Sequence, residues 1–431
     1  MTRAERLALV VVCLVAALVK FGYAARYEAV EPLAHTPYGD SLVYVDGALK
    51  FARSDGLLGD EAYYKPPLYT WCLSLLEVWD ASTWPLLRRV QAALGVASVA
   101  LVFLLGRRLH GVGAATVGAL LFALYAPATF AESKVLDTTL ALFLQLAALA
   151  LLPLPAIAGL SARRGLAVGL CLGLAALARP VSLVLVAGLA ALLLMRRASA
   201  PASMLALGAA LVVLPITAHN RFVSGDLILV NFSEGHTFWV GHSENANGMY
   251  APPPGFDDGV LTERAQEFEL ASAALGRPAS PGEQRDHSYA KGLEFLRAHP
   301  ERLPALLFAK LRFALANYEV SDNYLLSRER HRGLLAWSVV PFALLLGLAA
   351  AVHLTGGARR AAWLPGLGAG TTLLVLLVFY TTSRYRLPMV PFLALSAGAA
   401  FNVLRDGDRS RRVRLGLLAT LIGGASLLLP L

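Results

Sequence analysis

The residue best suited to act as a base is an aspartate in the polar stretch after the first apolar segment. Asp40 follows a Pro-Tyr-Gly turn, and Tyr44 comes four residues later, so a helix beginning here would place both side chains on one face. A carboxylate partly shielded from water can accept the proton of an attacking hydroxyl group. An aspartate at this point can also simply cap a helix, which stabilises it by about 1 kcal/mol. Both interpretations stay open.

Four basic residues from distant parts of the chain are candidates for binding an anionic group. Lys65 precedes two prolines and an aromatic segment, and Arg179 precedes a proline between two apolar segments. Arg384 and Arg386 flank Tyr385, a candidate for positioning substrate. Fixed cations in a low-dielectric cavity stabilise the charge that develops on a departing phosphate. The simpler alternatives are extension of Lys65 or Arg179 to the membrane surface, and salt bridges from the last two arginines to a large loop.

A turn between two apolar segments holds a third set of candidates. Glu132 and Asp137 lie on either side of Lys134. Asp137 could orient a substrate hydroxyl or help to hold the cations in place. Asp137 also precedes an unbroken apolar run, so a helix cap explains it equally well.

The histidines and cysteines do not form a metal-binding pattern. His236 and His242, with Glu234 and Glu244 nearby, have no regular spacing. The three cysteines lie far apart in apolar segments and are interpreted as small buried residues. We therefore assign no metal ligand and no certain cofactor. A divalent cation is left open and is not indicated.

The segments that must position these candidates have the composition of membrane helices. The 431 residues are 57% hydrophobic and 16% charged, against about 25% charged in typical soluble domains. Apolar runs near the length of about 20 residues that crosses a bilayer recur along the chain. They predict an all-α polytopic membrane protein and exclude a disordered chain, a coiled coil and a disulfide scaffold. The predicted spans are residues 7–25, 86–106, 112–130, 135–154, 165–178, 181–195, 202–218, 334–354, 361–382, 387–404 and 415–431.

Two long polar loops divide the chain into three parts. Residues 1–218 form an N-terminal catalytic module that includes a first outer loop, residues 26–85. Residues 219–333 form a large outer loop, and residues 334–431 form the C-terminal transmembrane helices.

The large loop has mixed local patterns. Residues 227–230 and 237–240 are predicted to be short strands. Apolar side chains between Leu303 and Tyr318 mark one face of an amphipathic helix, which we expect to lie on the membrane surface.

The arginines predict the orientation of the spans, because short cytoplasmic loops of membrane proteins are rich in basic residues. An inside N-terminus and eleven spans place both long loops outside, which predicts a bacterial inner-membrane protein with its site facing the periplasm. The first span is interpreted as a retained helix, with Lys20 extending outward near its end. The arginines placed inside are Arg3, Arg6, Arg107, Arg108, Arg163, Arg164, Arg196, Arg197, Arg359, Arg360, Arg405, Arg409, Arg411, Arg412 and Arg414.

The two spans around Arg179 are unusually short. At a rise of 1.5 Å per residue, residues 165–178 and 181–195 each cover roughly 21–23 Å of a hydrocarbon core about 30 Å thick. We expect Arg179 to lie below the outer membrane surface, at the floor of a cavity that opens outward. An arginine at such a depth usually marks a functional site.

Taken in order, these motifs resemble the GT-C superfamily of membrane glycosyltransferases. The likeness is to family 39, which includes the protein O-mannosyltransferases and the lipid A aminoarabinose transferases. It extends from the first helix to about residue 404. One departure is Ser41, which follows Asp40 where the family often has an acidic residue, so a paired-carboxylate metal site is not expected. The motifs are Asp40 with Tyr44, Lys65-Pro66-Pro67-Leu68-Tyr69 with Trp71, Gly106-Arg107-Arg108-Leu109, Leu136-Asp137, Leu177-Ala178-Arg179-Pro180, His219-Asn220-Arg221, Phe238-Trp239-Val240-Gly241 and Arg384-Tyr385-Arg386-Leu387-Pro388.

The resemblance implies a GT-C-type bundle of about 11 transmembrane helices whose outer loops carry short interfacial helices. It implies an enzyme that transfers a hexose or pentose, with inversion, from a polyprenyl-phosphate donor. The acceptor is a protein, a lipid or a polysaccharide, and nucleic acid has no part. The implied roles are catalytic for Asp40 and Asp137, donor phosphate binding for Lys65, Arg179, Arg384 and Arg386, and substrate positioning for Tyr44, Glu132 and Tyr385.

Two other classes fit part of the pattern. A secondary transporter of an anionic substrate would explain an arginine within the membrane and short, broken spans. The two halves, however, lack a matching pair of broken spans, and the outer loop is bulky for alternating access. An O-antigen ligase or polymerase has a similar topology with large outer loops, but the Lys-Pro-Pro-Leu element and the aspartate of the first loop favour family 39.

Overall fold

The computed structural model describes residues 1–257, 259–357 and 362–429. Within these ranges the regular structure is α-helical, with short 3-10 turns and one isolated bridge between Tyr125 and Val340. The predicted all-α fold class is confirmed. Arg359 and Arg360, which entered the topology prediction, lie outside the described residues.

The N-terminal half contains six of its helices in the first 132 residues and four more up to residue 224. Their bounds are α1 (Arg3–Val30), α2 (Asp40–Arg53), α3 (Pro67–Leu75), α4 (Trp84–His110), α5 (Val112–Ala123), α6 (Ala126–Glu132), α7 (Thr138–Ala150), α8 (Ala162–Ala178), α9 (Ser182–Met195) and α10 (Ser199–Ser224).

The second half begins with the helices of the large loop and ends with a C-terminal helix group. Their bounds are α11 (Glu234–Val240), α12 (Val260–Leu275), α13 (Pro281–Ala298), α14 (Leu303–Leu315), α15 (Leu326–His331), α16 (Phe342–Leu354), α17 (Trp363–Val378), α18 (Ser383–Arg386), α19 (Val390–Gly398), α20 (Ala400–Asp406) and α21 (Arg409–Leu428).

Several of these helices have the length and composition of membrane spans. In the described ranges, four are long and apolar enough to cross a bilayer: Arg3–Val30, Ala81–His110, Ser199–Ser224 and Ser383–Asp406. Shorter apolar helices include α5, α7, α9, α16 and α17. The count of eleven spans therefore stays a prediction.

One predicted span is divided into two helices. Residues 112–130 form α5 and the start of α6, with a break at Leu124 and Tyr125. Pro127 lies in the first turn of α6, where its missing amide proton is tolerated. A distant segment stabilises the break, because the Val340 amide donates to the Leu124 carbonyl at 3.1 Å.

Small residues bring α8 and α10 into close backbone contact. A side chain added at Gly169 would collide with the backbone of Leu205, and one added at Gly208 would collide with the backbone of Leu166. Gly165, Gly169 and Gly173 recur every four residues, the spacing that lets two membrane helices approach closely. This packing fixes the end of α8, where Arg179 follows.

The two short strands predicted in the large loop are wrong. Residues 237–240 belong to α11, and residues 227–230 form no strand. The segment that follows residues 227–230 lies beside residues 63–64 without forming a β-ladder. The Phe232 amide donates to the Tyr63 carbonyl at 3.1 Å. The predicted amphipathic helix is present as α14, and its position on the membrane surface stays a prediction.

Lys20 does not extend outward as expected. Its side chain is buried, and its ammonium contacts the Glu132 carboxylate at 2.5 Å. Gly95 leaves the space that this carboxylate occupies. The pair therefore joins α1 to α6 inside the helix bundle.

Candidate active site

An open cavity with about 1010 Å³ of empty space lies between the first outer loop, α9, α11 and α17–α19. Most of the predicted site residues line it, although they come from five separate parts of the sequence. They are Asp40, Tyr44, Lys65, Asp137, Arg179, Arg384 and Tyr385.

Asp40 is the electrostatic centre of this cavity. Its Oδ1 lies 2.8 Å from Lys65 Nζ, and its Oδ2 lies 2.7 Å from Arg384 Nη1. The interpretation of Asp40 as a helix cap is wrong. Gly39 occupies the cap position of α2, and no side chain caps this end of the helix. Asp40 is instead the shared partner of two cations.

These two cations keep Asp40 ionised. Burial opposes the charged form, but the charges of Lys65 and Arg384 outweigh it and hold the pKa of the carboxyl well below its usual range. The pKa of Lys65 moves the other way: burial lowers it, and the Asp40 carboxylate more than compensates and raises it. The two groups are a formed ion pair at neutral pH.

Asn323, in the large loop, fixes the aspartate in place. Its Nδ2 donates to Asp40 Oδ2 at 3.1 Å, and its Oδ1 accepts from the Asp40 amide at 2.9 Å. Gly39 makes room for this contact: its φ of +57° is left-handed, and a side chain there would overlap Asn323.

Two prolines set the position of Lys65. Pro66 is extended at φ −56° and ψ 136°, and Pro67 begins α3. Proline is tolerated at the first helical position because the amide there needs no partner. Lys65 therefore has a fixed exit direction just before the helix.

Arg179 lies at the end of α8 and, unlike the other cavity cations, has no carboxylate within 4.0 Å in the part of the chain that the structure describes. Its Nη1 donates to Thr138 Oγ1 at 3.2 Å, and its guanidinium lies 4.6 Å from the centre of the Tyr385 ring. The side chain is buried within the protein, and its depth below the membrane surface stays a prediction. Arg179 is a positioned cation whose charge is left for a ligand.

Arg384 is already neutralised within the protein. Besides Asp40, it contacts Asp322, with its Nε 2.8 Å from Asp322 Oδ2. Its guanidinium also lies 5.2 Å from the centre of the Tyr385 ring. Tyr385 thus contacts two guanidinium groups and holds Arg179 and Arg384 beside the same cavity.

Asp137 and Tyr44 complete the polar lining. Asp137 precedes α7 but makes no capping bond; its Oδ1 accepts from Thr138 Oγ1 at 3.4 Å. Tyr44 is buried against Tyr69, with the ring centres 5.1 Å apart. The carboxylate of Asp137 is therefore available to a substrate.

Two predicted site residues are placed elsewhere. Arg386 pairs with Glu319 at 2.7 Å and lies over the Phe342 ring, and it is 1% exposed. Glu132 pairs with Lys20. Neither lines the cavity, and each pairs with an oppositely charged side chain elsewhere in the protein.

The opposite wall of the cavity is apolar. Its side chains come mainly from α9, α17 and α19, helices that have the composition of membrane spans. They include Val181, Leu185, Val375, Phe379 and Phe392.

Sequence reasoning missed several polar residues of the site. Asp322 and Asn323 contact the charged cluster from the large loop, and Asn231 and Glu234 line the cavity. Of these, only Glu234 is named from the sequence, as a residue near two histidines without metal-binding spacing. No motif marks any of them, since their partners lie far away in the sequence.

The sequence from residue 64 to residue 220 matches the family model described as dolichyl-phosphate-mannose-protein mannosyltransferase. This stretch contains Lys65, Asp137 and Arg179. Among the curated proteins, none matches the sequence.

The helices superimpose on those of a larger enzyme, the oligosaccharyltransferase of Archaeoglobus fulgidus. The form tethered to an acceptor peptide matches at 14% identity and a TM-score of 0.53, over 100% of this chain and 55% of that chain. The apo form matches at 13% identity and a TM-score of 0.51, over 98% and 56%. This chain has the GT-C glycosyltransferase fold. It spans about half the length of the archaeal enzyme.

The family-model match and the fold together confirm the predicted resemblance to GT-C glycosyltransferases. A further GT-C structure, ArnT from Cupriavidus metallidurans bound to undecaprenyl phosphate, matches at 15% identity and a TM-score of 0.44, over 94% of this chain and 79% of that chain.

Proposed function

We propose that this GT-C chain is a membrane glycosyltransferase that moves a hexose or pentose, with inversion, from a polyprenyl-phosphate donor to an acceptor. The acceptor is a protein, a lipid or a polysaccharide. The observation that carries the proposal is the cavity in which an ionised carboxylate, Asp40, lies among three fixed cations beside an apolar wall. The match to a dolichyl-phosphate-mannose-dependent family supports a lipid-phosphate donor.

The donor phosphate would bind at Arg179 first. This guanidinium carries an uncompensated charge, whereas Lys65 and Arg384 are shared with carboxylates. A charged hydrogen bond to phosphate is stronger than a neutral one, and an arginine can make two at once. Lys65 and Arg384 would then contribute by reorienting partly from Asp40 to the phosphate.

Asp40 would accept the proton of the acceptor. Paired with two cations, it is a weak base, but a phosphate that draws Lys65 and Arg384 away raises its proton affinity. The acceptor oxygen then bonds to the anomeric carbon as its proton moves to Asp40. The bond from that carbon to the phosphate oxygen breaks, and its electron pair stays on the phosphate beside the cations. One displacement from the opposite face inverts the sugar.

The apolar wall would hold the prenyl tail. Leu185, Val375 and Phe392 belong to helices with membrane composition, so a lipid could extend from the cavity into the bilayer between them. Asp137 would orient a sugar hydroxyl. Tyr385 would keep the guanidinium groups of Arg179 and Arg384 in place beside the cavity. Tyr44 would position the substrate beside the base.

The proposal also includes a cellular location and a membrane orientation. The Arg-rich short loops favour the inner membrane of a bacterium with the cavity facing the periplasm. A donor that is a lipid phosphate suits this side, because it needs no soluble nucleotide sugar. No observation in the cavity favours the transporter or the O-antigen ligase.

The test is binding and turnover of radiolabelled polyprenyl-phosphate sugars by the purified protein in detergent. One sugar form should bind saturably and be slowly hydrolysed. Arg179→Ala and Lys65→Ala should lower the rate of transfer or hydrolysis by about 100-fold or more, the usual effect of removing a group that stabilises developing charge.

The matched control is Lys50→Ala, since Lys50 is an exposed lysine of the same outer loop that pairs with Asp46. It should leave binding and turnover unchanged. Absence of binding across the whole panel, by protein shown to be folded, would reject the proposal.

A further inference from the structure

One wall of the cavity carries buried polar atoms that have no partner within the protein. Asn231 is 5% exposed, and its Oδ1 accepts no hydrogen bond; Glu234 Oε2 is likewise buried and unpaired. Both residues line the cavity. Because nearly all buried polar atoms in proteins are hydrogen-bonded, two unpaired acceptors in one wall require an explanation.

The position of Asn231 is fixed relative to the phosphate-binding cations. Its Nδ2 donates to the Tyr64 carbonyl at 3.2 Å and to Ser233 Oγ at 2.9 Å. Tyr64 directly precedes Lys65, whose ammonium contacts Asp40. The amide group of Asn231 is therefore held with its oxygen free, one residue away from a cation of the charged cluster.

Glu234 differs from Asp40, the carboxylate at the centre of the cation cluster. Asp40 pairs with Lys65 and Arg384, whereas Glu234 has no cation within 4.0 Å among the described residues. Burial raises the pKa of its carboxyl group to about 7, so it is only partly ionised near neutral pH. Two hydroxyl groups, of Ser233 and Thr237, lie beside it in the lining.

The chemistry of this wall suits hydroxyl groups. It offers carbonyl and carboxyl acceptors together with hydroxyl groups, and none of its four side chains is a cation that would bind phosphate. A sugar hydroxyl donates and accepts at once, so it can satisfy an unpaired acceptor and a neighbouring hydroxyl together. Since the phosphate belongs with the cations, the group bonded to it lies next to them.

We propose that Asn231, Ser233, Glu234 and Thr237 form the site for the glycosyl group of the donor, and that it takes an uncharged sugar whose hydroxyls donate to Asn231 Oδ1 and Glu234 Oε2. The inference rests on the proposed function, because it needs a lipid phosphate at the cations. Asn231 and Glu234 determine sugar specificity in this site, and they are separate from the residues that bind the phosphate.

The experiment compares two kinds of probe on the same protein. The first is undecaprenyl phosphate without sugar, and the second is undecaprenyl phosphate carrying glucose, mannose or an amino sugar. The dissociation constants are measured in detergent, and the ratio of the two affinities isolates the contribution of the sugar. Wild-type protein should bind one uncharged sugar form more tightly than the bare lipid phosphate.

The variants separate the two parts of the site. Asn231→Ala and Glu234→Ala should reduce the affinity ratio by about tenfold or more, the effect of leaving polar groups of a specificity site unpaired. Affinity for bare undecaprenyl phosphate should not change. Glu234→Gln keeps the size and one acceptor of the side chain and should recover part of the ratio. Lys65→Ala should weaken both probes and leave the ratio unaltered.

The matched control is Glu244→Ala, an exposed glutamate of the same loop that does not line the cavity. It should leave both affinities and their ratio unchanged. Normal binding of both probes with an unaltered ratio in Asn231→Ala and Glu234→Ala would overturn the sugar site while the proposed function stands. No binding of either probe to folded wild-type protein would overturn the proposed function itself. Preference for the amino sugar alone would overturn the assignment of an uncharged sugar.

Discussion

The charged residues of the cavity differ in what holds them. Asp40 contacts two cations and Arg384 contacts two carboxylates, so each is satisfied before any ligand arrives. Among the described residues, the partners of Arg179 are a hydroxyl group and an aromatic ring. A ligand anion therefore meets one free charge and two that it must share with Asp40.

The first prediction at this scale concerns the base. Asp40→Asn should lower the rate of glycosyl transfer by about 100-fold or more, because a positioned general base contributes at least that much. Donor binding should persist, since Lys65, Arg179 and Arg384 remain. The measurement is transfer rate and donor affinity on the same purified sample.

Asp46→Asn on the same helix is the control, because Asp46 is exposed and pairs only with Lys50. It should retain wild-type activity. If Asp40→Asn kept near-normal turnover, a structural role in holding the two cations would replace the catalytic one.

The second prediction at this scale follows from the lowered pKa of Asp40. A carboxyl group whose pKa is lower in the folded protein stabilises it above the unfolded pKa, and this stabilisation is lost only as the pH falls through the folded value. The difference in Tm between wild type and Asp40→Asn should therefore stay constant from about pH 5 to pH 8. A difference that disappeared between pH 7 and pH 5 would show that the carboxyl titrates there, against the paired geometry.

Helices position these side chains through close backbone contact. The glycines of α8 let the backbone of α10 pack directly against the backbone of α8. Arg179 follows the last turn of α8. A shift of α8 would therefore move Arg179 relative to Thr138 and Tyr385. The position of Arg179 therefore depends on the packing of α8.

Gly169→Leu tests this arrangement. The new side chain would overlap the backbone of Leu205 and force the helices apart, so we expect a lower Tm and weaker donor binding. The control is Gly370→Ala in α17, where an added methyl group meets no atom within 4 Å. It should leave stability unchanged or raise it by about 1 kcal/mol through helix propensity. Normal donor binding by Gly169→Leu would show that the position of Arg179 does not depend on the packing of α8.

The helices and the site differ in how far the sequence predicts them. Lys65 and Arg179 were predictable, because a proline after each ends one segment and begins another in an apolar context. Glu132 and Arg386 also lie beside apolar segments, but their partners, Lys20 and Glu319, lie far along the chain. Sequence spacing records which charges lie near a membrane surface and does not record which of them are neutralised by folding.

At the scale of the whole molecule, the large loop is joined to the membrane helices by buried ion pairs. Glu329 of α15 contacts both Lys134 and Tyr23, and Arg332 contacts Glu31 at 2.6 Å. The same loop supplies Asn323 to the charged cluster. The orientation of the helices therefore also decides on which side of the membrane the cavity opens.

The topology prediction is tested by labelling single cysteines. In a variant without Cys13, Cys72 and Cys171, a cysteine is introduced at Ala274 of α12 or at Ala200 of α10, both exposed positions. A membrane-impermeant maleimide added to intact cells should label Ala274→Cys, and it should label Ala200→Cys only after permeabilisation. The reverse pattern would place the cavity on the cytoplasmic side.

The sharing of Arg384 and Lys65 with Asp40 has a consequence for turnover. In the proposed mechanism, Asp40 would release both cations on taking a proton from the acceptor, and the spent lipid phosphate would gain them. When the proton leaves for water, the carboxylate recovers its partners and competes with the phosphate for the same charges. Loss of one proton then both restores the base and expels the used carrier, so the site is reset without a separate conformational signal.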